Sequence, residues 1–137
     1  MKSLKKYELI RNQLISDDTL ISLLSTQPNN TICVFTVEKP EHIQTDCYVV
    51  LRFKELSGGY VFSDSLEVTI VGKDLIKLLN IKDKIIELLD DPRNSKIIAD
   101  SSNNAILTTK LVNGGGIAKN SDTNNFNVIQ YFEIKTF

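Results

Sequence analysis

The chain has 137 residues, 42% apolar and 24% charged, which is one domain's worth of globular sequence and excludes wholesale disorder. Sixteen Lys and Arg against 17 Asp and Glu leave a net charge of −1, without the basic excess that phosphate-neutralising proteins carry. No apolar run approaches the ~20 residues of a membrane span, the N-terminus lacks a signal-like stretch, and two cysteines are too few for a disulfide scaffold, so an intracellular single domain is expected.

Leu4, Tyr7, Ile10 and Leu14, with Ile15 beside them, recur at steps of three and four and predict a helix from Ser3 to Ile15. Lys5, Lys6, Glu8, Arg11 and Asn12 fall mostly elsewhere on the wheel. Ser16 to Thr19 supplies capping residues for a second, short helix from Asp18 to Leu24. Ser25 to Asn30 is a breaker cluster. Ile32 to Val37 reads as a short strand, and Glu38 to Asp46, interrupted by Pro40, as a loop or ragged edge. From Cys47 the alternation is clean: Cys47, Val49, Leu51 and Phe53 share one face, Tyr48, Val50, Arg52 and Lys54 the other. Ser57-Gly58-Gly59-Tyr60 reads as a hairpin turn. The return strand runs to about Val71, with Leu66, Val68 and Ile70 on one face and Glu67 and Thr69 on the other.

Gly72 marks the change to a helix from Asp74 to Asp90, on which Leu75, Leu78, Leu79, Ile85, Ile86 and Leu89 share a face. Ile81 and Leu88 sit at its margin. Lys82 falls near its centre, so either its stem lies along the core with the amine snorkelling out, or the helix breaks near Asn80. Pro92 is a stop signal. Ala105 to Val112 resembles a strand. Asn113 and the three glycines after it, followed by Ile117 to Asn125, read as a long mobile connection. Phe126 to Phe137 is the last strand, with Phe126, Val128, Phe132 and Ile134 on one face and Asn127, Glu133 and Lys135 among the other. The expected fold is α+β: one domain over 1–137, an antiparallel sheet of four to five strands with two main helices packed on one face.

Reactive chemistry is sparse. His42 and Cys47 are the one imidazole–thiol pairing the chain allows, but Cys47 opens an apolar strand face, where a structural thiol is the commoner role. No nucleophile elbow or phosphate-binding loop occurs, and Gly114 to Gly116 precede no amphipathic helix. Asp17-Asp18 reads as a helix cap. Asp90-Asp91, at a helix C-terminus where negative charge is unfavourable, is a possible partner contact but not a calcium loop. Lys2, Lys5 and Lys6 read as a solvated helix face. Tyr48, Val50 and Tyr131 make the exposed strand faces more apolar than free solvent needs, which hints at cover by another subunit. No catalytic, cofactor-binding or metal-ligating residue is assigned, and no enzyme activity is expected.

The order of elements carries a resemblance. Leu14 to Leu24 (Leu-Ile-Ser-Asp-Asp-Thr-Leu-Ile-Ser-Leu-Leu) leads into a strand pair. Leu66 to Lys73 (Leu-Glu-Val-Thr-Ile-Val-Gly-Lys) feeds a central helix ending Ile85-Ile-Glu-Leu-Leu-Asp90, and an alternating strand follows. This pattern resembles the tail-completion and tail-terminator (head–tail joining) proteins of long-tailed bacteriophages. The resemblance implies a protomer of a homo-hexameric ring, made in the host cytoplasm and found in the virion at the head-proximal end of the tail tube. Such a ring stops tube polymerisation and meets the tail tube protein on one side and head connector or neck proteins on the other. DNA only passes through its lumen, with no membrane and no cofactor involved. A near-neutral charge suits a channel that must not hold DNA. Sheet edges and polar loops are the usual raw material of subunit contacts. The candidate intersubunit or tube contacts are therefore Ser57, Gly58, Gly59 and Tyr60 in the hairpin, with Gly114, Gly115, Gly116, Lys119 and Asp122 in the 113–125 segment. The alternatives are a neck, head-closure or other non-enzymatic protein-binding module and, far behind, a small hydrolase using Cys47 and His42.

Overall fold

The computed structural model describes residues 3–24, 31–57, 61–90, 98–99 and 105–136. The elements run α1 (Ser3–Ile15), α2 (Asp18–Leu23), β1 (Val34–Thr36), β2 (Cys47–Ser57), β3 (Phe62–Gly72), α3 (Leu75–Leu89), β4 (Ile98–Ala99), β5 (Ala105–Lys119) and β6 (Phe126–Thr136). Ser25 to Asn30, Gly58 to Tyr60, Pro92, Asp91 and Lys2 lie outside the described residues.

The strands form one six-stranded sheet in the order β1-β2-β3-β6-β5-β4. Its middle is a set of long antiparallel ladders. β2 meets β3 from Cys47↔Gly72 to Ser57↔Ser63, and β3 meets β6 from Phe62↔Thr136 to Gly72↔Phe126. Alternation places Val49, Leu51, Leu66, Val68, Ile70, Val128, Phe132 and Ile134 on one face. They share a single core with Leu9, Ile10 and Leu14 of α1, Leu20 of α2, and Leu78, Ile81, Ile85 and Leu89 of α3.

The sheet corrects the expected fold class in strand number and direction. Among the described residues it has six strands, and β1 lies parallel to β2 from Val34↔Val49 to Thr36↔Leu51, so the sheet is mixed. A parallel pair needs a crossover, and residues 37–46 make it. They cross the face opposite the helices, where Lys39 Nζ stands 5.7 Å over the Tyr48 ring.

The expected mobile connection over 113–125 is also corrected. β5 continues through the glycines to Lys119, and only 120–125 turns. The ladder with β6 skips residues between Leu111 and Asn113 and again between Asn113 and Gly116. The second irregularity depends on Gly115. Its φ is +66°, its N–H donates to Asn113 Oδ1 at 2.7 Å, and a Cβ there would run into the Ile129 carbonyl. The turn is tied as well: Asn120 N–H donates to the Asn125 carbonyl at 2.8 Å, and Asp122 N–H to Asn120 Oδ1 at 2.9 Å. Residues 112–124 are exposed throughout, so this hairpin is an arm rather than part of the core.

Both major helices bury a face rotated from the expected one. In α1, Lys6, Leu9, Ile10 and Leu14 are buried, while Leu4 is exposed. Lys6 is the cause. Its ammonium donates to Asp64 Oδ2 at 2.7 Å, and both side chains are almost wholly buried (3% and 0% exposed). The expected solvated lysine face does not include this residue. In α3, Ile81 is fully buried at the centre of the stripe rather than at its margin. The helix is unbroken at Asn80. Lys82 snorkels, its ammonium reaching β5 beside Gly114 while its carbonyl accepts from Gln130 Nε2 at 3.3 Å. Asp74 caps the start of α3, accepting from Ile76 and Lys77 N–H, and Asp90 follows its last turn. Asp90 spends its carboxylate inside the molecule, accepting Leu111 N–H of β5 at 2.9 Å. That bond accounts for an acid at an otherwise unfavourable helix end.

Candidate assembly surfaces

The residues expected to make contacts fall into two groups that the fold holds apart. Ser57 pairs with Ser63 at the end of the sheet where Phe62, Ile106 and Thr136 meet. Lys119 pairs with Phe126 at the other end, beside Gly72 and Cys47, and Asp122 lies in the turn beyond. Ten residue steps of β3 separate the two ends, roughly 33 Å at the usual strand rise. Gly114, Gly115 and Gly116 form the bulged section of β5 that leads to the second end. Gly58, Gly59 and Tyr60 lie outside the described residues.

The face of the sheet away from the helices holds a groove of about 510 Å³. Tyr48, Val50, Thr69 and Val71 form its floor. Glu38, Lys39 and Glu41 of the crossover line one wall, and Asn120, Thr123 and Asn125 of the arm's turn line the other. Val50, named above as surplus surface, is buried by its own chain: Phe35 lies beside it in the ladder and packs edge-on against Tyr48 at 6.2 Å. Burial holds the Tyr48 phenol above its ordinary range, with Arg52 pulling the other way.

The crossover rim contains a strained residue that nothing in the sequence singles out. Val37 has φ +71°, a region costing a β-branched residue about 1–3 kcal/mol. Three hydrogen bonds hold it there. Val37 N–H donates to the Leu51 carbonyl at 2.8 Å, Glu38 N–H closes a γ-turn onto the Thr36 carbonyl at 2.9 Å, and Arg52 Nε donates to the Val37 carbonyl at 2.8 Å. The Val37 side chain is left 53% exposed. Nearby, Lys39 Nζ is occupied by the carbonyls of Pro40 and Ile43, at 3.2 and 2.6 Å. Glu38 and Glu41 have no ion pair among the described residues.

The thiol–imidazole pairing finds no support in the geometry. Cys47 is buried, and desolvation pushes its thiol up to about 11 against the opposing pull of Lys77. The other charges acting on it are Cys33, Asp46 and Asp74; His42, exposed in the crossover, is not among them. A cavity of about 340 Å³ beside Cys47 is lined by Lys73, Asp74 and Lys77 among others. A buried thiol of this kind labels slowly in the native state. Its folded pKa lies above the unfolded value of 9.0, so the stabilisation it supplies is complete below pH 9 and lost as pH rises towards 11. Alkylation at pH 8 should follow unfolding, and Cys47→Ala should flatten the loss of stability between pH 9 and 11. Rapid native labelling of Cys47 would contradict this account.

Among the described residues no three His, Cys, Asp or Glu side chains gather to hold a metal, and no helix is long and apolar enough to cross a membrane. No protein-family model matches the chain, and no curated protein matches it. Its fold is similar to that of a chain in a solved structure described as the virion of a native gene transfer agent (GTA) particle. The two share 10% sequence identity and superpose with a TM-score of 0.68 over 93% of this chain and 90% of that one. At that identity the likeness is one of fold, and it takes in almost the whole of both chains.

Proposed function

We propose that this protein is a structural component of a phage-like virion, found in its tail or neck, and that it assembles as a ring, a homo-hexamer by resemblance, at the head-proximal end of the tail tube. There it stops tube polymerisation and joins the tail to the head connector, with DNA passing through the lumen. The observation that carries the reading is the near end-to-end likeness of fold to a chain of a virion particle. Two further features support it. The arm projects from the core with every residue from 112 to 124 exposed, and the described candidate contacts Ser57 and Lys119 lie at opposite ends of one sheet. A protomer so built can meet a neighbour or the tube at one end and a different protein at the other.

Electron microscopy of the purified protein, alone and with tail tubes, tests the role. Rings capping tube ends are expected. Binding to head connectors but not to tubes would instead favour the neck or head-closure role. Deleting Gly115 to Asn124 removes exposed residues, so the protein should keep its helical and sheet signal and lose ring formation and tail joining. Normal joining by the deletion protein would remove the arm from the account.

A further inference from the structure

The strand part of the arm and the crossover rim present complementary side chains on opposite faces of the sheet. Ile117 pairs with Val128 and Lys119 with Phe126, and directly paired residues project to the same face of a sheet. Val128 is buried in the core beneath the helices and Phe126 packs against that core, so Ile117 and Lys119 lie on the helix side of the arm. Ile117 is 54% exposed. Lys119 rests over the Phe126 ring at 5.4 Å and has no ion pair among the described residues. The crossover rim lies on the other face of the sheet, across a groove whose far wall is the arm's own turn at Asn120, Thr123 and Asn125. It offers the counterpart: Val37, exposed on a left-handed backbone, in the same segment as Glu38 and Glu41, two carboxylates with no ion pair among the described residues.

We propose that the arm of one copy docks on the crossover rim of a second copy, with Ile117 against Val37 and Lys119 facing Glu38 and Glu41. The two patches differ and face opposite ways, so the contact is head-to-tail, the type that closes into a ring when the rotation per subunit permits. It also gives the Val37 strain a use, because this costly backbone conformation occurs at an apolar side chain left exposed for a neighbour to cover. The pairing rests on the ring reading in needing a second copy of the chain.

Cysteine cross-linking and charge reversal test it, with tail tubes added if rings form only there. The double variant Val37→Cys/Ile117→Cys should give a ladder of covalent oligomers under mild oxidant, while either single variant stops at dimers or monomers. The native thiols, Cys33 and Cys47, are buried and do not compete. Lys119→Glu should weaken assembly by about tenfold or more, and adding Glu38→Lys and Glu41→Lys in the same chain should restore it. A ladder together with charge rescue supports the pairing. Rings that assemble without a 37–117 cross-link, an indifferent Lys119→Glu protein, or failure of the triple variant to recover would each overturn the pairing and leave the ring reading standing. A wild-type chain that never self-associates, with or without tubes, overturns both.

Discussion

Replacing Gly115 with valine should destabilise the protein by about 2–4 kcal/mol, and replacing either flanking glycine with alanine should do almost nothing. The three residues are adjacent and chemically identical, so the contrast isolates geometry. At Gly115 φ is +66°, and a side chain would collide with the backbone of Ile129, which cannot swing away as a flexible side chain can. At Gly114 an added Cβ meets only the Lys82 ammonium, at 3.9 Å, and at Gly116 it meets nothing within 4 Å. The substitution also threatens the register of β5 beyond the bulge, where Gly116↔Ile129 to Lys119↔Phe126 carry the arm. Denaturant midpoints should fall for Gly115→Val, and amide exchange should quicken first in residues 116–119 and 126–129. Equal stability for the valine variant and the two alanine variants would show that the bulge does not depend on this glycine.

The second large effect is expected at Lys6. Its ammonium satisfies Asp64 Oδ2 at 2.7 Å in a site closed to water, while Glu55, 3.8 Å away, is 69% exposed and contributes little. Among the described residues Asp64 Oδ1 already has no hydrogen-bond partner, and neither has Thr136 Oγ1. Lys6→Met therefore strands a buried carboxylate with no other cation beside it among the described residues, at a cost of about 3–5 kcal/mol. The pair itself is worth far less than that figure, because both ions lose hydration on burial. Lys6→Met combined with Asp64→Leu should recover most of the loss, and the wild-type protein should keep its stability in high salt, since buried pairs are weakly screened. A single variant as stable as the double would mean that water reaches Asp64.

For the extent of the regular elements the sequence is a sound guide. The Cys47 strand alternates as expected, α1 spans Ser3–Ile15, and α3 fills Leu75–Leu89 between the two aspartates that bound it. Long-range pairing was harder to read. Nothing in Ile32 to Val37 says that this strand lies parallel to β2, because strand propensity is blind to direction and a ten-residue connection can close a loop or a crossover. Lys6 sits at a core position of α1 only because Asp64, 58 residues away, faces it. The glycines over 114–116 resembled a loop because glycine is common in loops, yet here it permits a bulged strand to approach β6. Among the surface features, the polar arm was visible in composition. The rim at Val37 was not, since a valine with positive φ arises from the hydrogen bonds around it and leaves no mark in composition.

The position of β6 has a consequence for how the molecule is made. It lies between β3 and β5, so the strand that joins the two halves of the sheet is also the one synthesised after both. Until residues 126–136 have left the ribosome, β3 presents a long edge with no neighbour, and β1, β2 and β3 can form only one half of the sheet. The nascent chain must therefore wait for β6 before this core can close, and a ribosome stalled short of Phe126 would display a sticky fragment for chaperones to shield.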